Sequence, residues 1–223
     1  MTRLCLFDLD GTLLPIDSDH AFGEFLVRIG WVDAETFRVR NDAFYQDYLA
    51  GTLDHVAYID FATAGWRDRA PAEIEAMRRR YMDEVISQQV LPTALALVRS
   101  HQQRGDLVAI VTATSEFVTG PIAQAFGVEH LLAVRLQRDA QGRCTGRIDG
   151  TPTFQGGKVV RVNEWLQGLG RRLNEFTAIS VYSDSTNDLP LLDLATEPVA
   201  TNPTPALEAI ALQRGWRILH LFT

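Results

Sequence analysis

Residues Leu4–Phe7 are an apolar run that breaks off abruptly at Asp8-Leu9-Asp10-Gly11-Thr12. A run this short, with no polar alternation, reads as a strand buried on both faces. Such a strand needs a sheet covered by helices on both sides. The second half of the chain repeats the pattern. Strand-like runs at 107–111, 177–182, 198–200 and 216–219 alternate with helical stretches at 121–126, after Gly156-Gly157, around 189–194 and at 205–213. This alternation predicts an α/β fold with a Rossmann-like, mostly parallel sheet. Residues 131–136 and 147–148 flank a turn carrying Gly142 and predict a hairpin.

Between about residues 17 and 89 the period changes. Phe22, Phe25, Leu26 and Ile29, then Phe37, Phe44, Tyr45 and Tyr48, recur at helical intervals. Asp33 and Asp54 suit N-caps, Gly30 and Gly51 suit stops, and Pro71 suits a first helical turn. The expectation is an inserted all-helical cap domain of about four helices over 16–90, with 1–15 and 91–223 forming the core. A chain of 223 residues, 46% of them apolar, is long enough for both.

The net charge of −7 argues against a nucleic-acid partner, because duplex binding relies on Lys and Arg neutralising phosphates. The run Arg78-Arg79-Arg80 reads as a solvated helix end. Cys5 and Cys144 lack metal-type spacing, and the five histidines offer no zinc pattern. There is no signal-like N-terminal stretch and no window of membrane-spanning length, so no membrane partner is expected and the cytoplasm is the expected location. Oligomeric state is not legible.

Four strand-end features carry chemistry. Asp8 and Asp10, one residue apart at a strand's carboxyl end, repel each other unless a cation is bound or one is protonated. An acidic turn is the plain alternative. Ser183-Asp184-Ser185-Thr186-Asn187-Asp188 follows another buried strand; it reads as a helix N-cap, a metal site, or both. Asp8, Asp10 and Asp184 together would make the hard oxygen site that Mg²⁺ prefers. Thr112, with the backbone N–H of Ala113 behind it, suits a phosphate seat, though a Thr ending a strand is commonplace. Lys158 behind two glycines would ordinarily be solvated.

In order and type, Asp8-x-Asp10-Gly-Thr12, Thr112, Lys158 and Asp184-x₃-Asp188 resemble the four motifs of the haloacid dehalogenase superfamily. The helical insertion looks like its cap, and Asn187-Asp188 is similar to the phosphoserine-phosphatase-like branch, with Ser183 and Ser185 where that branch has glycines. The resemblance implies Asp8 as nucleophile and Asp10 as acid/base with a raised pKa. It implies that Thr12 and Thr112 hold the phosphoryl group, with Asn187 among the substrate contacts, while Lys158 neutralises charge. It assigns Mg²⁺ to Asp8, Asp184 and the Asp10 carbonyl, with Asp188 acting through water or Lys158.

The implied activity is hydrolysis of a small phosphorylated metabolite. The presence of Asp10 argues against dehalogenases and phosphonatases. A phosphomutase or phosphotransferase keeps both carboxylates and is the rival; a non-catalytic binding module is the reading from another class. Asp17 aligns with the acid that contacts the substrate amine in phosphoserine phosphatases, and it equally suits a helix N-cap. No arginine between Asn41 and Trp66 answers to the one expected to grip a substrate carboxylate, and Arg67 and Arg69 look displaced. That departure turns the expectation toward amino-alcohol phosphates, histidinol phosphate among them. His20 reads as solvated or capping.

Overall fold

The computed structural model describes residues 2–222. Strand β1 (Leu4–Phe7) leads into four helices, α1 (Ser18–Arg28), α2 (Ala34–Ala50), α3 (His55–Ala64) and α4 (Pro71–Tyr81), the last running into a π-helical turn at Met82–Ile86. Then come α5 (Pro92–Gln103), β2 (Leu107–Ser115), α6 (Glu116–Ala125), β3 (His130–Val134), β4 (Leu136–Arg138), β5 (Cys144–Ile148) and α7 (Gly156–Gly168). β6 (Ile179–Ser183), α8 (Leu189–Leu192), β7 (Glu197–Thr201), α9 (Pro205–Arg214) and β8 (Arg217–Leu219) complete the chain. Six strands pair in parallel in the order β3-β2-β1-β6-β7-β8.

β1 sits near the centre because all four of its residues are apolar. Cys5 and Phe7 pack on one face with Phe25, Val98 and Ile122, and Leu4 and Leu6 pack on the other with Val162, Leu191 and Leu207. Full burial of each such side chain is worth roughly 1.5–3 kcal/mol, so both faces are firmly seated. Asp17, Asp33 and Asp54 cap the first three helices through their side chains, and α2 ends on Gly51 in the left-handed region at φ 74°. The Tyr81 hydroxyl donates to the Ser18 carbonyl at 2.6 Å, tying the end of α4 to the start of α1.

Three expectations need correction. The helix expected from residue 121 starts at Glu116 and carries Pro121 in its interior. The strand expected at 107–111 runs on to Ser115. The stretch 131–136 is divided: β3 joins the main sheet, while β4 pairs antiparallel with β5 as a separate ribbon. Helix α5, unforeseen, is opened by Pro92 at its first turn. Cys5 and Cys144 are buried free thiols. Among the described residues, no helix is long and apolar enough to cross a membrane.

Candidate active site

β1 delivers Asp8 to the carboxyl edge of the sheet, where its N–H donates to the Tyr182 carbonyl at 2.9 Å. Its side chain is buried, and a buried carboxylate needs a partner. Lys158, in the first turn of α7, supplies one: Nζ donates to Asp8 Oδ1 at 2.8 Å and to Asp188 Oδ2 at 2.7 Å. Asp188 Oδ2 also accepts from the Ser183 hydroxyl at 2.8 Å. Burial alone would lower Lys158, but the Asp188 and Asp8 carboxylates outweigh it and hold the ammonium above its usual value. Burial pushes Asp8 up to about 7, opposed by Lys158 and reinforced by Asp188 and Asp10. The turn that brings Lys158 inward needs Gly157, where a Cβ would run into the Pro152 carbonyl.

Asp10 is held at both carboxylate oxygens. Oδ1 accepts from the Ser18 N–H at 2.8 Å and Oδ2 from the Thr114 hydroxyl at 2.8 Å. Burial, then the Asp17 charge, raises it to about 7, against the hydrogen bonds from Ser18 and Thr114. Thr114 lies outside the set expected from sequence. β2 continues past Val111 through a register shift between Val111 and Ser115, and this irregular end carries Thr112 and brings the Thr114 hydroxyl to Asp10. The Thr112 hydroxyl accepts from the Thr114 N–H at 3.2 Å. The cluster of hydroxyl residues Thr112, Thr114 and Ser115 is the available clue in the sequence.

Thr12, expected at the phosphoryl group, donates to Asp184 Oδ1 at 3.1 Å. Asp184 is held well above the usual carboxylate range by burial, then by Asp8 and Asp188. Gly11, at φ +73°, lies so close that a Cβ would meet the Asp184 carboxylate. Asn202, also unforeseen, braces this turn: its Nδ2 donates to the carbonyls of Gly11 at 3.0 Å and Thr12 at 3.2 Å, while Oδ1 accepts from the Leu221 N–H at 2.6 Å.

Asp8 and Asp188 thus share one buried ammonium while Asp184, beside them, has only the Thr12 hydroxyl, and the surplus negative charge suits a cation. Among the described residues, no three His, Cys, Asp or Glu side chains converge into a complete metal cage. A set of two carboxylates, a backbone oxygen and water fits Mg²⁺, which keeps much of its hydration, and does not resemble a zinc site.

On the insertion side, Asp17 Oδ1 accepts from the N–H groups of Asp19 at 3.0 Å and His20 at 2.7 Å, the capping role. Asp17 also lines a cavity that reaches Ala113 and Thr114. Asn187 Nδ2 donates to the Tyr48 carbonyl at 3.1 Å, and Gln155 Nε2 donates to the Gly51 carbonyl at 3.4 Å, so both side chains clasp the end of α2. Gln155 does so from a left-handed backbone, φ 46°. Arg67 and Arg69 line a different depression with Trp66 and Arg78, and neither reaches the cavity beside Thr114.

A buried carboxylate paired with an ammonium, a second carboxyl raised to about 7 and a surplus of negative charge are the kind of arrangement that phosphoryl transfer uses. A haloacid dehalogenase-like hydrolase family profile matches residues 5–193. The chain belongs to that family. It is 40% identical over 220 residues to a histidinol-phosphatase of Neisseria meningitidis, covering 99% of each chain. A solved protein of unknown function from Bordetella pertussis Tohama I shares 47% identity and a TM-score of 0.93, with full coverage of both chains. A substrate-bound phosphoserine phosphatase shares the fold, with TM-score 0.67 and 17% identity over 98% of this chain and 93% of that one.

Proposed function

We propose that this phosphoric monoester hydrolase works through an aspartyl-phosphate on Asp8, with residues 16–90 as a cap over a core of 1–15 and 91–223. The observation that carries the reading is the doubly held Asp10 beside the Lys158–Asp8 pair. An Asp8 oxygen attacks phosphorus, the bond from phosphorus to the leaving oxygen breaks, and Asp10 gives that oxygen its proton. Asp10, now a carboxylate, takes a proton from the water that attacks the acyl phosphate. The bond to Asp8 then breaks, releasing inorganic phosphate and restoring both carboxyls. Splitting one displacement into two lowers each barrier.

Lys158 offsets the charge on Asp8 and Asp188, and the hydroxyl of Thr112 with the Ala113 N–H faces the transferring oxygens. Mg²⁺, held by Asp8, Asp184 and the Asp10 carbonyl with Asp188 supporting through Lys158, would stabilise the charge on the phosphoryl group and favour the ionised nucleophile. Thr12 acts here by orienting Asp184. The clasp from Asn187 and Gln155 to α2 supports a closed cap that excludes bulk water. The substrate is a small phosphorylated metabolite of the cytoplasm. Histidinol phosphate is the favoured member, supported by the 40% identical histidinol-phosphatase and by the cavity that reaches Thr114, which no arginine lines among the described residues.

The test is phosphate release from an aryl phosphate and a panel of phosphomonoesters, with Mg²⁺ or chelator, by the wild type and Asp8→Asn. Release that needs both Mg²⁺ and Asp8 is expected. Activity retained by Asp8→Asn would overturn the reading. Transfer to a second hydroxyl with little free phosphate would point instead to a mutase.

A further inference from the structure

Beside Asp10 a cavity opens between the end of β2 and the inserted helices. Thr114 lies at its base, Asp17 and Asp19 come from the start of α1, and Tyr45, Tyr48 and Tyr58 supply aromatic walls. Its position beside Asp10 makes it the room for whatever leaves with the oxygen that Asp10 protonates. Among the described residues, no lysine or arginine lines it. The basic ring it does contain, His20, is engaged with Asp42 Oδ1 at 2.9 Å and tilts against Tyr45.

The two acids of this cavity differ. Asp17 Oδ1 is taken up by two backbone N–H groups at the helix start. The Asp19 carboxylate has the Tyr58 hydroxyl beside it and, among the described residues, pairs with no lysine or arginine. Burial raises Asp19 to about 7, so an opposing positive charge is what would keep it ionised at neutral pH.

We propose that Asp19, backed by Tyr58 and flanked by the rings of Tyr45 and Tyr48, reads a positive charge on the leaving group and selects cationic, carboxylate-free phosphomonoesters. The inference rests on the phosphatase reading above and extends it to specificity. An ammonium or protonated imidazole donates a charge-assisted hydrogen bond to the Asp19 carboxylate and faces the electron-rich surfaces of the tyrosines. A substrate carboxylate in the same room would meet Asp17 and Asp19 with no cation to offset them. Discrimination by such repulsion is as effective as an added attraction. Phosphoserine is therefore a poor fit, although it carries the same amine.

The experiment compares kcat/KM for L-histidinol phosphate, phosphoethanolamine, phosphoserine and a neutral aryl phosphate, using Mg²⁺-loaded wild type, Asp19→Asn and Tyr58→Phe. The readout is the ratio of each substrate to the aryl phosphate, which cancels any general loss of folded or competent enzyme. In wild type the two carboxylate-free amines should rank well above phosphoserine. Asp19→Asn should lower their ratio roughly 10- to 100-fold, mainly through KM, the scale of losing one hydrogen bond to a charged group. Tyr58→Phe should lower it by a smaller factor. An unchanged ratio in Asp19→Asn, or phosphoserine hydrolysed as well as the amines by wild type, would overturn the proposal. Failure of wild type to hydrolyse even the aryl phosphate would instead overturn the underlying phosphatase reading.

Discussion

Freed of divalent cations, the protein is expected to lose stability as pH rises from about 5 to about 8, the reverse of the trend for carboxylates that gain partners on folding. Asp8 is the main cause. Its carboxyl titrates at 3.8 when unperturbed and about 7 in the fold. The folded state therefore keeps a proton that the unfolded chain has already released. A carboxyl raised on folding contributes stability that is full below its unfolded pKa and is lost as pH rises through its folded pKa. About two units of that interval lie above pH 5, and at ~1.4 kcal/mol per unit the loss is on the order of 3 kcal/mol. Asp10 and Asp19, raised to about 7, and Asp17, raised to about 6, push the same way. They keep some exposure to solvent, so screening discounts them. Lys158, raised from 10.5, contributes a constant amount across this window. The assay is urea denaturation in chelator across the range for wild type and Asp8→Asn. Wild-type stability should fall with pH, and Asp8→Asn should remove much of that slope. A flat or rising wild-type curve, or an identical slope in Asp8→Asn, would refute the reasoning.

Other substitutions test the supporting shell. Thr114→Val removes the hydroxyl on Asp10 Oδ2, so the alkaline limb of the pH–rate profile should move upward and kcat should fall roughly 10-fold; an unmoved limb would separate Thr114 from Asp10. Gly157→Ala drives a Cβ into the Pro152 carbonyl and should cost about 2–3 kcal/mol by thermal or urea melts, with activity falling as Lys158 shifts. Asn187→Ala breaks the bond to the Tyr48 carbonyl and should raise KM more than it lowers kcat in steady-state assays.

Most of the candidate catalytic residues were legible because they stand at a strand's carboxyl end, where an apolar run stops on a polar residue; Lys158 instead lies in the first turn of α7 behind Gly156 and Gly157. Asp8, Thr112 and Asp184 follow β1, the hydrophobic part of β2 and β6 in that manner, and parallel topology brings those ends to one edge. What the pattern hid depends on contacts distant in sequence. Nothing local to Asn202 points to its carbonyl partners at Gly11 and Thr12, nearly the whole chain away. Thr114 was obscured because polar hydroxyls look like the end of a strand, whereas β2 continues through them. Pro121 misplaced a helix start, since proline usually opens a helix and here sits in the second turn. Asp17 was read two ways from sequence; the structure gives it the capping contacts and also sets it on the cavity wall.

The central claim is that phosphate passes through Asp8. The most direct measurement is acid-quench mass spectrometry of the enzyme caught during turnover, with peptide mapping. The account predicts one added phosphoryl group, on the peptide carrying Asp8 and released by hydroxylamine as an acyl phosphate should be, and none in Asp8→Asn. Phosphate release without any phosphorylated peptide, or with the label on another residue, would contradict it.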